Sequence, residues 1–145
     1  MPRVAIVKEV DAPATIVWAL LTDFGDVSWI PVAERVEVAG EDIGMSRSIY
    51  GGGDRPAVET LTLLDHDGMR LGYSIADVPL PVSRFAALVS VAPAASEGAA
   101  ITFDVDYDPL GPTEADAETA RQAVEAVYGM IAGWLVDAAA ARGRT

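Results

Sequence analysis

The stretch from Pro112 to Arg142 constrains everything that precedes it. Its apolar residues Ala117, Ala120, Val124, Val127, Ile131, Leu135 and Ala138 recur every three or four positions, the spacing of a helix with one core-facing stripe. Pro112 stands just outside, Thr113 is placed to cap, and Asp116 three residues on completes a capping-box pattern. Glu114, Asp116 and Glu118 at the start, and Arg142 and Arg144 at the end, suit the helix dipole. Roughly 29 residues in a helix make a rod of about 43 Å, whereas a compact domain of this length has a radius of gyration of about 15 Å. One rod therefore crosses the whole molecule, and the chain before it has to fold around it.

What precedes the rod changes period along its length. Arg3 to Val10 is rich in β-branched residues and reads as a strand. Asp11-Ala12-Pro13 breaks it and opens a helix with Pro13 in the first turn. Ile16, Val17, Leu20 and Leu21 form that helix's apolar face, which ends by Gly25. Asp26 to Ile30 is expected to form a second short helix, stopped by Pro31. From Val32 the period is two, with strands expected near 33–39, 44–50, 56–64, 69–76, 83–92 and 99–107, separated by Gly-, Pro- and Asp-rich turns. Short connections make the sheet antiparallel. The expected fold class is α+β: one domain over 1–145, a seven-stranded antiparallel sheet curved around a long C-terminal helix, with two short helices after the first strand.

Hairpin arithmetic assigns the inner face. A turn centred near Gly53 sets Arg47 opposite Glu59 and Ile49 opposite Ala57. One centred on His66 sets Glu59 opposite Tyr73, Leu61 opposite Leu71 and Leu63 opposite Met69. One near Ser96 sets Val89 opposite Phe103 and Ala87 opposite Val105. Tyr73, Ile75, Phe85, Val91, Ile101 and Tyr107 share that face. Arg47 and Glu59 are thus directed to the apolar side, where charges are expected only as partners. Aromatic residues mixed with small ones (Ala57, Ala87) imply an internal cavity, with Val127 and Ile131 of the long helix as its opposite wall. Gly51–Arg55 and Asp77–Val82 fall at one end of the sheet as a rim.

Composition excludes several chemistries. The net charge of −12 argues against nucleic acid or an anionic membrane as partner. There is no cysteine, hence no disulfide, thiol nucleophile or thiolate metal site. His66 is the one histidine and sits in a polar turn, so a Ser–His–Asp triad lacks its base and a metal site its cluster. Gly51-Gly52-Gly53 lacks the lysine and helix of a phosphate loop. No apolar run of the roughly 20 residues that span a bilayer is evident, and no secretory signal. The expectations are a cytoplasmic protein, no cofactor, no metal and no membrane insertion.

The ordered set Ala12-Pro13 with Val17-Trp18, Asp23-Phe24, Trp29-Ile30-Pro31, Gly44, Arg47, Glu59 with Leu61 and Asp65, Tyr73-Ser74-Ile75, Val78-Pro79-Leu80-Pro81, Phe85 and the long helix resembles the START-like (SRPBCC) helix-grip superfamily. Within it the chain is most similar to bacterial polyketide cyclase/dehydrase and lipid-transport proteins, kin of the birch-pollen-allergen-like proteins and abscisic acid receptors. The resemblance implies a ligand held between the sheet and the C-terminal helix. Its pocket positions correspond here to Trp29, Arg47, Glu59, Tyr73, Leu80 and Phe85. The receptors' His-Arg-Leu gate is replaced by Pro79-Leu80-Pro81, so hormone reception is not implied. With the inner-face residues Leu61, Ile75, Ala87 and Phe103 and the helix residues Val127 and Ile131, these form the expected ligand-binding set.

Three functions remain open at this level. The first is binding of a small hydrophobic or aromatic, partly oxygenated molecule, lipid- or polyketide-like. The second is a polyketide cyclase or dehydratase, in which Arg47 would stabilise an enolate and Glu59 or Tyr73 would shuttle protons. The third is a protein-interaction or chaperone-cofactor module. Arg47 and Glu59 read equally as ligand contacts or as a structural ion pair. Tyr73 reads as a proton donor or as a core tyrosine with a satisfied hydroxyl, and Trp29 as pocket wall or staple. Trp18 and Trp134 read as anchors. Gly129 and Gly133, on the helix face away from the stripe, read as tolerated small residues or as a close contact, either with a second copy (a homodimer) or with the first helix.

Overall fold

The computed structural model describes residues 3–51, 56–76 and 80–143. Its elements are β1 (Arg3–Val10), α1 (Ala14–Thr22), β2 (Arg35–Ala39), β3 (Ser46–Tyr50), β4 (Ala57–Asp65), β5 (Arg70–Ala76), β6 (Val82–Pro93), β7 (Ala99–Pro109) and α2 (Glu114–Gly143), with one 3-10 turn at Ala95–Glu97. The strands form a single antiparallel sheet in the order β1-β7-β6-β5-β4-β3-β2. β2 to β7 is a plain meander, but β1 and β2 occupy opposite edges. The segment joining them has to cross the sheet, and α1 begins that crossing by burying Ala14, Val17, Trp18, Leu20 and Leu21.

The crossing does not contain the second short helix expected at Asp26 to Ile30. Isolated turns replace it: the N–H groups of Asp26, Ile30 and Ala33 bond the carbonyls of Asp23, Val27 and Ile30. The Ser28 N–H goes to the Asp26 carboxylate at 2.9 Å. That side-chain acceptor competes with the helical partner, and the residue before Pro31 is biased away from helix. The crossing segment then passes so close to the end of β3 that a Cβ on Gly51 would lie 2.3 Å from the Val32 carbonyl oxygen. Only glycine tolerates that approach.

Two hairpin registers agree with the arithmetic. Arg47 faces Glu59 and Ile49 faces Ala57, while Ala87 faces Val105 and Val89 faces Phe103. The β4–β5 register differs: Glu59 faces Ile75, Leu61 faces Tyr73, and Leu64 faces Leu71, with an irregularity between Leu61 and Leu63. The extra residue at Thr62 is a bulge, which reverses the alternation beyond it. Leu61 is therefore buried, Leu63 emerges on the outer face, and Leu64 packs on the core. Opposite the bulge, a Cβ on Gly72 would lie 3.1 Å from the Thr62 hydroxyl.

The helix α2 begins with the capping box. The Asp116 N–H donates to the Thr113 hydroxyl at 3.0 Å, and the Thr113 N–H donates to the Asp116 carboxylate at 3.1 Å. Its buried stripe is Ala120, Val124, Tyr128, Ala132, Leu135 and Ala139. Relative to the expected stripe this is turned by one residue at Tyr128, Ala132 and Ala139; Val127, Ile131 and Ala138 are half-buried and Ala117 is exposed. The turn places Tyr128 among the sheet aromatics, which accept its ring and its hydroxyl together. A Cβ on Gly129 or Gly133 would meet nothing within 4 Å, so that side of the helix faces open space. Contrary to the sequence expectation, an 18-residue window of α2 has a mean hydropathy of 1.3, apolar enough to cross a membrane by length and composition. In this fold the buried stripe packs with the sheet residues as one core.

Candidate functional site

Arg47 on β3 and Glu59 on β4 are held face to face by the register, at 6% and 9% exposure. The Arg47 Nε and Nη2 groups donate to the same Glu59 oxygen, Oε1, at 2.8 and 2.6 Å. Nη1 donates to the Phe24 carbonyl at 2.8 Å, and the guanidinium carbon lies 3.9 Å from the centre of the Phe24 ring. Each guanidinium nitrogen thus makes one hydrogen bond, three of the group's five N–H donors being engaged. Glu59 Oε2 accepts no hydrogen bond among the described residues, yet no buried side-chain oxygen or nitrogen among them lacks a partner. Oε2 therefore reaches accessible space.

Beside the pair lies an aromatic group centred on α2. The hydroxyls of Tyr73 and Tyr128 are 2.7 Å apart. The Tyr128 ring stacks on Phe85 at 5.4 Å and is tilted against Phe103 at 5.7 Å between centroids. Burial, reinforced by the Glu59 charge, pushes the Tyr73 phenol well above its ordinary pKa. Tyr128 is pushed up in the same way, burial first and then the neighbouring Tyr73 and Glu59. Both stay protonated. Two hydroxyls in mutual contact share one proton between their oxygens and leave the second for another acceptor.

Between these groups and solvent is a pocket of about 190 Å³ lined by Ala57, Glu59, Ile75, Leu80, Val127, Tyr128 and Ile131. It lies at the β3–β4 and β5–β6 end of the sheet, between the concave face and α2. Residues 52–55 and 77–79, which carry most of the expected rim, lie outside the described residues. Of the expected ligand-binding set, Glu59, Ile75, Leu80, Val127 and Ile131 come together at this pocket. Arg47 lies behind Glu59. Leu61, Tyr73, Phe85, Ala87 and Phe103 are deeper, at 5% exposure or less, and Trp29 is buried in the same core. Tyr128 and Phe24 were missed by sequence reasoning as site residues. The signal for Tyr128 was present in the unbroken i+4 series Ala120, Val124, Tyr128, Ala132; Phe24 acts through its carbonyl and ring face, which no pattern announces. His66 is elsewhere, accepting the Trp18 Nε1 proton at 3.3 Å.

A meander sheet closed over one long C-terminal helix, with a pocket between them into which a carboxylate reaches, defines a helix-grip protein of the START-like class. The chain belongs to the polyketide cyclase / dehydrase and lipid transport family, whose model matches residues 1–139. Solved structures of similar fold include a protein from Bacillus thuringiensis, 17% identical with a TM-score of 0.80, covering 94% of this chain and 98% of that one. A Nitrosospira multiformis protein is 19% identical with a TM-score of 0.79, covering 99% and 100%. A Thermobifida fusca protein is 29% identical with a TM-score of 0.73, covering 89% and 83%. No curated protein shows a significant match to the chain.

Proposed function

We propose that the chain binds a small hydrophobic, partly oxygenated molecule in the pocket between β4, β5 and α2. One observation carries this reading: an apolar lining of Ala57, Ile75, Leu80, Val127 and Ile131 surrounds a single carboxylate, Glu59. Few polar groups in a mostly apolar concavity is the usual composition of a small-molecule site. The family's association with hydrophobic ligands agrees with it. Size narrows the occupant. An apolar cavity of about 150 Å³ holds one benzene, so a pocket of about 190 Å³ takes a single ring or a short branched chain. A longer lipid or polyketide would project through the opening.

Binding is favoured over a cyclase or dehydratase reaction by the place of Tyr73, whose hydroxyl is buried against that of Tyr128 at 2.7 Å and which is not among the residues lining the pocket. Native mass spectrometry of the protein from its own source is the test. The expected result is a co-purifying small molecule that is lost in Ile131→Trp, which fills the pocket. A bare chain whose Ile75, Val127 and Ile131 methyl signals also ignore small aromatic probes would overturn the reading.

A further inference from the structure

Resting on the pocket's reading as a ligand site, we propose that it selects an apolar group bearing one hydrogen-bond donor, a hydroxyl or an amine, and rejects carboxylates. The basic partner that would receive an acid is paired with Glu59 and stands outside the pocket's lining. Arg47 directs Nε and Nη2 to Glu59 Oε1 and Nη1 to the Phe24 carbonyl, and its outer face is covered by the Phe24 ring. It is not among the residues lining the pocket, whereas Glu59 is. The charged atom presented to an occupant is therefore Oε2, a pure acceptor. A ligand carboxylate would meet a like charge in a partly desolvated site, with Arg47 bonded to Glu59 Oε1 and absent from the lining. A hydroxyl or ammonium would instead complete the coordination of Oε2. This reverses the expectation that Arg47 greets an oxyanion: of the two paired side chains it is Glu59, and not Arg47, that lines the pocket.

Probes of one size separate this proposal from the reading it rests on. Toluene, benzyl alcohol, benzylamine and benzoate are titrated into the full-length protein, and the methyl signals of Ile75, Val127 and Ile131 are followed by NMR. A hydrogen bond to a charged group contributes about 1.5–3 kcal/mol, so benzyl alcohol and benzylamine should bind about tenfold or more tightly than toluene. Benzoate should bind more weakly than toluene. In Glu59→Gln the preference for benzylamine over benzoate should collapse, while toluene binding is retained. Toluene binding accompanied by equal or tighter benzoate binding overturns the donor selectivity and leaves the pocket reading intact. No response to any probe overturns both. The comparison within the wild-type protein decides the matter even where Glu59→Gln does not fold.

Discussion

Replacing Arg47 with methionine tests whether the buried pair holds this end of the sheet together. The substitution keeps an unbranched chain against Phe24 but removes both donors to Glu59 Oε1 and the donor to the Phe24 carbonyl. Glu59, 9% exposed, is left as a charge without its partner. Removing one member of a buried pair costs about 3–5 kcal/mol, a large part of the roughly 5–15 kcal/mol that stabilises a domain. For 145 residues, an unfolding entropy of about 2.1 cal/mol/K per residue makes each kcal/mol worth about 3 °C. Arg47→Met should therefore lower Tm by about 10–16 °C. The double variant Arg47→Met/Glu59→Leu removes both charges together and should recover most of that loss, since apolar replacement of a whole buried pair is often close to neutral. Urea unfolding of the two single variants and the double supplies the coupling energy. A loss below about 1 kcal/mol in Arg47→Met, or a double variant as unstable as the sum of the singles, would refute a sealed and mutually dependent pair.

Three further outcomes are expected. Tyr128→Phe leaves the Tyr73 hydroxyl buried without its 2.7 Å partner and should cost about 1–3 kcal/mol, whereas Tyr73→Phe/Tyr128→Phe should cost less than the two singles together; thermal unfolding of the set checks this. Because burial raises the Tyr73 and Tyr128 pKa values in the folded state, their contribution to stability is intact below the unfolded tyrosine value of about 10 and falls as pH rises above it. Phenolate absorbance from these two residues should then appear together with loss of near-ultraviolet circular dichroism, and a phenolate signal from both in a fully folded protein would contradict it. At the acid end, hydrogen bonds from Thr113 hold the Asp116 carboxyl below its ordinary pKa. Its contribution is complete above the unfolded aspartate value of about 3.9 and is lost as pH falls through the lower folded value. Thr113→Ala should flatten that part of the acid unfolding curve and leave the curve near neutral pH displaced but parallel.

The outline of the molecule was legible in local chemistry. Thr113 and Asp116 announce the start of α2, and two-residue alternation announces the strands. The pairing of Arg47 with Glu59 follows from counting across a glycine turn, since alternation leaves few registers that keep one face apolar. The same counting across His66 set Glu59 opposite Tyr73 where the sheet sets it opposite Ile75, and Leu80 was legible only through the family resemblance. The misses differ in origin: the turns at Asp26 follow from a local carboxylate acceptor and the following Pro31, whereas the Thr62 bulge and the one-residue rotation of α2 are small differences between local alternatives that distant packing tips.

The chain's own pattern determined that a long amphipathic helix would be wrapped by an antiparallel sheet with two opposite charges on its inner face, because periodicity and caps act within a few residues. Only the tertiary structure decided which way that charge pair points. The orientation depends on Phe24, brought under Arg47 from 23 positions away in sequence, and on Tyr128, brought to Tyr73 across 55. Those contacts seal the guanidinium, fill the deep interior with aromatic rings, and leave the Glu59 carboxylate facing the small pocket that remains against α2.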